Sequence, residues 1–168
     1  MGIFEVQICA QLENVTEVNL PPDEDWHFVV VFSSVNACFV QLECSHCREQ
    51  SEEVYFNLLD EKEMVGSRGK ATYVAKCKFC ERVSSLNFVK GSISEYNAED
   101  SEELRTIARF EGRGWNIVSF YPRGGFRCVS VNSETVFDNL DLNEGDWNEY
   151  DEKGECVVGI FNLKGHVK

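Results

Sequence analysis

The chain has 168 residues, 43% hydrophobic and 12% aromatic, enough for a real core and consistent with one domain of ordinary size or two very small ones. Its formal charge of −13 argues against a general nucleic-acid binder, which needs a basic face to release counterions. No run approaches 18 apolar residues, so no membrane span is expected.

Residues 3–12 alternate, with Phe4, Val6, Ile8, Ala10 and Leu12 on one face and Cys9 among the polar residues of the other. That period of two predicts a half-buried strand. The same stretch lacks a basic start and an apolar middle, so it does not read as a signal peptide. Without an export signal, Asn14-Val15-Thr16 is a chance match to a glycosylation acceptor. The eight cysteines then read as reduced thiols and metal ligands in a cytoplasmic or nuclear protein. Residues 19–25, with Pro21, Pro22 and three acids, predict a loop. Residues 26–32 and 39–43 predict strands joined by a turn at 33–36.

Cys44-Ser45-His46-Cys47 follows, and after 29 more residues Cys77-Lys78-Phe79-Cys80. Each Cys-x-x-Cys fits a tight turn that points two sulfurs at one spot. Two such turns face to face give four thiolates in a tetrahedron, the geometry of a closed zinc site. The separation exceeds that of common fingers and suits a ribbon-like arrangement over about residues 40–90. A redox dithiol and unrelated buried cysteines are the competing readings. A thioredoxin-like dithiol needs only one pair, which favours zinc. Arg48, Lys76, Lys78 and Arg82 flank the pairs, and cations and backbone N–H groups would stabilise a tetrathiolate of net charge about −2.

Between the pairs, Val54, Phe56 and Leu58 mark a strand, and Gly66-Ser67-Arg68-Gly69-Lys70 a loop. A phosphate-binding loop would need Gly at 64 and Ser or Thr at 71, where Met64 and Ala71 stand. Residues 72–76 lead into the second turn and 83–89 lead away from it. Asp100 with Glu103 predicts a short helical turn near 99–104. Residues 106–111 could be helix or strand. Gly112-Arg113-Gly114 breaks the chain, and residues 115–121 and 126–131 predict strands around Pro122-Arg123-Gly124-Gly125. The acidic stretch 138–155 predicts a loop with a helical turn, and 157–163 a last strand with fraying residues after it. The expected architecture is an all-β, mainly antiparallel sandwich of about nine or ten short strands, with few helical turns.

Charge is uneven: residues 62–90 hold seven Lys or Arg against two Glu, and residues 138–155 hold eight Asp or Glu against one Lys. The two regions could attract each other or face different partners. Trp147 and Tyr150 either anchor the acidic stretch or form a recognition patch. His46 could replace a cysteine as ligand, and Cys9, Cys38, Cys128 and Cys156 could build a second metal site, although their spacings are irregular. Acid–base work by the carboxylates of 138–155 would need one buried with a raised pKa.

The chain resembles the eukaryotic CXXC-motif-containing zinc-binding proteins. The resemblance rests on residues 12–16 (Leu-Glu-Asn-Val-Thr), both cysteine pairs, residues 66–71 (Gly-Ser-Arg-Gly-Lys-Ala), residues 96–100 (Tyr-Asn-Ala-Glu-Asp), Arg113-Gly114 and residues 146–153 (Asp-Trp-Asn-Glu-Tyr-Asp-Glu-Lys). These pieces run through nearly the whole chain in order. The resemblance implies a single all-β domain over 1–168 with one zinc ion on Cys44, Cys47, Cys77 and Cys80, and it implies no enzyme activity. One departure is the 17 residues between Trp26 and the first pair. Residues 28–38 read as an insertion, either a lineage-specific hairpin or a gene-model error. The expected function is non-catalytic, binding another protein as a monomer, without nucleic acid or membrane. The alternative is metal transfer or redox sensing through the same cysteines.

Overall fold

The computed structural model describes residues 1–20, 37–64 and 66–168. The strand expected at 26–32, the turn at 33–36 and most of the loop at 19–25 lie outside the described residues. So does most of the insertion read at 28–38. Its last two residues open a strand of the fold, since Ala37 pairs with Asn57 and Cys38 with Phe56.

The described residues form fourteen strands. The first half holds β1 (Gly2–Glu13), β2 (Val15–Asn19), β3 (Ala37–Cys44), β4 (Gln50–Asn57), β5 (Lys62–Glu63), β6 (Lys70–Ala71) and β7 (Tyr73–Lys76). The second holds β8 (Val83–Phe88), β9 (Arg105–Arg113), β10 (Trp115–Tyr121), β11 (Gly124–Ser130), β12 (Val136–Asp141), β13 (Trp147–Asp151) and β14 (Cys156–Val167). A six-stranded sheet runs β13-β14-β1-β9-β8-β7, and two three-stranded sheets run β10-β3-β4 and β12-β11-β2. β5 and β6 form a small hairpin. All these ladders are antiparallel.

The period of two in β1 does what its sequence predicts: Val6, Ile8 and Ala10 are buried, at the centre of the six-stranded sheet. They share one core cluster with Leu42 of β3, Phe110 of β9, Ile117 of β10, Phe126 of β11 and Ile160 of β14, so the sheets pack on a common apolar interior.

The count of nine or ten strands falls short for physical reasons. Asn14 takes a positive φ of 55° and splits the first extended stretch into β1 and β2. Asparagine tolerates that conformation, so no Gly signals the turn. The acidic stretch 138–155 is not a loop. It supplies most of β12 and all of β13, held by ladders to β11 and β14. β13 is an edge strand, where charge discourages pairing with another chain. Its Trp147 packs against Phe137 with ring centroids 5.5 Å apart, while Tyr150 stands exposed. The last strand extends to Val167 instead of fraying, and Lys168 exchanges both backbone hydrogen bonds with Glu5. Residues 106–111 resolve as strand within β9.

The helical turn is a single 3-10 turn at Ala98–Asp100, capped at Asn97. The reciprocal box is therefore Asn97 with Asp100, three residues earlier than Asp100 with Glu103. Beside it Tyr96 is fully buried, and its hydroxyl accepts from Ala10 N–H and donates to the Glu103 carbonyl.

Candidate metal centre

Two hairpins bring the cysteines together. β3 enters the first turn and β4 leaves it; β7 and β8 do the same for the second. The two turns close by the same bonds. Cys44 N–H donates to the Glu49 carbonyl and Arg48 N–H to the Cys44 carbonyl, both at 2.9 Å. Cys77 N–H donates to Arg82 at 2.8 Å and Glu81 N–H to Cys77 at 3.0 Å. The residue after each pair is left-handed, Arg48 at φ 65° and Glu81 at φ 62°. Glycine is the usual residue for that conformation, so the sequence carried no sign of it.

The four sulfurs lie within 4.8 Å of one another. Cys44 Sγ is 3.7 Å from Cys80 Sγ, and Cys47 Sγ is 3.6 Å from Cys77 Sγ. A tetrahedron with Zn–S bonds of about 2.3 Å has sulfur–sulfur edges of about 3.8 Å. The donor set and its spacing therefore fit one zinc ion, and this is the one such cluster among the described residues.

The turns also prepare the thiols. Backbone N–H of Cys47, then of His46, draws the Cys44 thiol down to about 7. Backbone N–H of Cys80 and Phe79 lowers Cys77 in the same way. Cys47 receives the Glu49 N–H, but burial and the crowded sulfurs of Cys77, Cys44 and Cys80 outweigh it and push the thiol up to about 12. Four thiols at one spot cannot all ionise without a cation among them. The first cysteine of each pair is the deeper: Cys44 and Cys77 are buried, Cys47 and Cys80 only half-buried. Three of the flanking cations face carboxylates, Arg48 toward Glu43, Lys76 toward Glu81 and Lys78 toward Glu52. Stabilisation of thiolate at Cys44 and Cys77 thus comes from backbone N–H groups.

Gly114 joins the first turn to β8, the strand that leaves the second, and was read in the sequence as a chain break and as part of a family-like piece. Its carbonyl accepts Ser45 N–H at 3.0 Å, and it forms a parallel bridge with Ser85 of β8. At φ 88° it has no room for a side chain: an added Cβ would fall 2.7 Å from Ser84 Cβ and closer still to its hydroxyl. The available signal was Arg113-Gly114 among the family-like pieces.

The other candidates separate cleanly. His46 is exposed and outside the cluster. Cys9, Cys128 and Cys156 make no second cluster among the described residues, and burial pushes the Cys128 thiol up to about 12. The glycine-rich stretch 66–70 is the turn of the β5–β6 hairpin, with Met64 N–H bonded to the Gly69 carbonyl. Asp151 is buried, and hydrogen bonds from Ser130 and Ser133, with N–H of Gly154 and Lys153, hold its carboxyl down at about 2. That is the opposite of the raised pKa an acid catalyst would need. No helix among the described residues is long and apolar enough to cross a membrane.

Residues 5–168 match the family model described as CXXC motif containing zinc binding protein, eukaryotic. The protein of that name in Bos taurus is 40% identical over 164 residues, spanning 97% of this chain and 96% of its own length. The one in Homo sapiens is 38% identical over the same shares. Among solved structures, "Crystal Structure of C1orf123" is 35% identical with a TM-score of 0.86, covering 99% of both chains. A hypothetical protein from Plasmodium falciparum is 25% identical with a TM-score of 0.84, covering 100% of both. The identity, its extent and the gathered cysteines agree, and the chain belongs to the eukaryotic CXXC-motif-containing zinc-binding protein family.

Proposed function

We propose that the chain is a non-catalytic zinc-binding protein that acts by binding another protein, with a structural site on Cys44, Cys47, Cys77 and Cys80. One observation carries the reading: the four sulfurs converge from two hairpins that belong to two different sheets. Four thiolates complete a tetrahedron and leave no open position for water or substrate, as in structural sites. Bound there, zinc supplies a cross-link between the β3–β4 and β7–β8 hairpins. The buried polar groups Asp151 and Tyr96 support the absence of catalysis, since both are spent on hydroxyl and backbone partners. We take the chain as one domain and a monomer, ribbon-like over about 40–90, in the cytoplasm or nucleus, where thiols stay reduced. The charge of −13 speaks against a nucleic-acid partner.

The half-burial of Cys47 and Cys80 favours a second reading, metal transfer or redox sensing through the same thiols. Two measurements on purified protein decide between them. A structural site holds one zinc per chain against a competing chelator and shields all four thiols from iodoacetamide. A transfer site yields its metal within minutes and alkylates first at Cys47 and Cys80. Crosslinking of the zinc-loaded chain in native cytosol tests the binding role, and loss of every specific partner would end it.

A further inference from the structure

β4 and β7 are edge strands of two different sheets, and they do not pair with each other among the described residues. They touch at one end, where the rings of Phe56 and Tyr73 lie 5.6 Å apart. Between that contact and the metal centre, a cavity of about 310 Å³ is lined by residues of both strands. β4 borders it with consecutive residues, Gln50 to Val54, so the edge of that strand faces the opening. β7 contributes Tyr73 and Ala75 of one face together with Lys76 at its end, where the second cysteine turn adds Cys77 and Lys78. Leu42 and Trp115 complete the apolar lining.

Three features of this groove point to a ligand. A free strand edge offers N–H and C=O groups in the spacing of another strand. Trp115 is 4% exposed, yet among the described residues its indole N–H has no hydrogen-bond partner, which is uncommon for a buried donor. The mouth is charged on both sides, with Glu49 and Glu52 on the β4 side and Lys76 and Lys78 opposite; Lys76 is held by Glu81, which leaves Lys78 as the cation facing the β4 acids. Glu52 meets Lys78 only at 4.0 Å, with both side chains nearly fully exposed, so this pair opens at little cost.

We propose that the groove binds an extended peptide of a partner protein, with an apolar centre and basic flanks, which pairs as a strand with the free edge of β4. Its apolar side chains lie over Tyr73, Ala75 and Trp115. The Trp115 indole proton, shut off from solvent in the free chain, is accepted by a backbone or side-chain oxygen of the peptide once the ring turns toward it. Its Lys or Arg residues meet Glu49 and Glu52, displacing Lys78. Five residues in extended form span about 17 Å, matching residues 50–54 of β4. The proposal rests on the binding role given above and specifies where and what the chain binds.

The test uses the full, zinc-loaded, 15N-labelled chain. The probes are acetylated pentapeptides with Lys at both ends and three central residues drawn from Val, Ile, Thr and Phe. The Trp115 indole signal is identified by its absence in Trp115→Phe. Members of the panel should move that signal and the amides of 50–54 and 73–78, with dissociation constants on the order of 10–100 µM, as for transient contacts. N-methylating alternate peptide nitrogens should weaken binding at least ~10-fold by removing ladder donors, and Glu in place of the terminal Lys should do the same. Lys78→Glu, a fully exposed change, should tighten binding ~2–5-fold. Ala75→Arg should block the groove while the zinc content and melting temperature show that the fold persists. A panel that moves neither the indole nor the β4 amides at about 1 mM overturns the proposal. So does equal binding of N-methylated peptide. Either failure leaves the wider binding role intact if crosslinking in cytosol still finds a zinc-dependent partner; loss of both would end that role as well.

Discussion

Gly114→Ala tests whether the two cysteine turns depend on each other. A Cβ at φ 88° carries a strain of about 1–2 kcal/mol. Rotating the Ser84 hydroxyl away does not clear the new methyl, because Ser84 Cβ is itself 2.7 Å from it. The backbones of β8 and the β9–β10 link must part, an overpacking cost of about 1–3 kcal/mol. Together the loss is about 2–5 kcal/mol, a large share of the roughly 5–15 kcal/mol that holds a typical domain. In a chain of this size that lowers the melting temperature by at least about 4 °C. The strain falls between Ser45 of the first turn and Ser85 of β8, the strand that leaves the second turn, so it is relieved by moving the first turn away from the β7–β8 hairpin. Zinc affinity should therefore fall at least ~10-fold, each such step being about 1.4 kcal/mol. Calorimetry and a chelator titration measure the two effects. Ser84→Gly in the Gly114→Ala background should restore part of the affinity by making room for the methyl. Melting within 1 °C of wild type and unchanged zinc affinity would refute the coupling.

The other predictions are smaller in scope. Cys77→Ser should release zinc and open residues 40–90 to proteolysis while hydrogen exchange in β1 and β14 stays slow; loss of protection in β1 would show that the metal holds the whole fold. Tyr96→Phe removes the acceptor of the buried Ala10 N–H and should cost about 1–3 kcal/mol in denaturant melts, against no change if a water takes its place. Asp151 titrates lower in the folded chain than in the unfolded one, so its contribution is present above about pH 4 and is lost as pH falls toward about 2. Asp151→Asn should flatten the acid limb of the stability curve in that window, and an unaltered limb would contradict the assignment.

The cysteine site was legible because its chemistry is local. Each Cys-x-x-Cys is a complete turn, so two sulfurs are placed by four residues, and zinc's coordination number supplies the pairing of turns. The β1 face was legible for the same reason, a period of two that needs no partner to be seen. What failed was set by contacts distant in sequence. β13 has an acidic composition that predicts a loop, and it becomes a strand only because β14 supplies a ladder, with Trp147 opposite Ile160 and Asp151 opposite Cys156. β12 depends likewise on β11. Asp151 looked like one more solvated acid, and its burial under Ser130 and Ser133 comes from the end of β11 and the turn after it, about 20 residues away.

The left-handed residues carry the same lesson further. Arg48, Glu81 and Asn14 all end or join strands at positive φ, and only the asparagine hints at it. The cost at Arg48 and Glu81 is accepted because the turn places N–H groups on the sulfurs of Cys44 and Cys77, where they favour thiolate. The turn geometry therefore serves the metal site through backbone N–H groups that favour thiolate at Cys44 and Cys77. It follows that the hairpins are built by their strands and turns, and that zinc adds the link between them. That link joins the β10-β3-β4 sheet to the outer edge of the six-stranded sheet, far from the β1–β14 ladder at its other side. The loosening expected on zinc loss is confined to 40–90 for this reason: β1 keeps both its neighbours, β14 and β9, whatever happens at the cysteines.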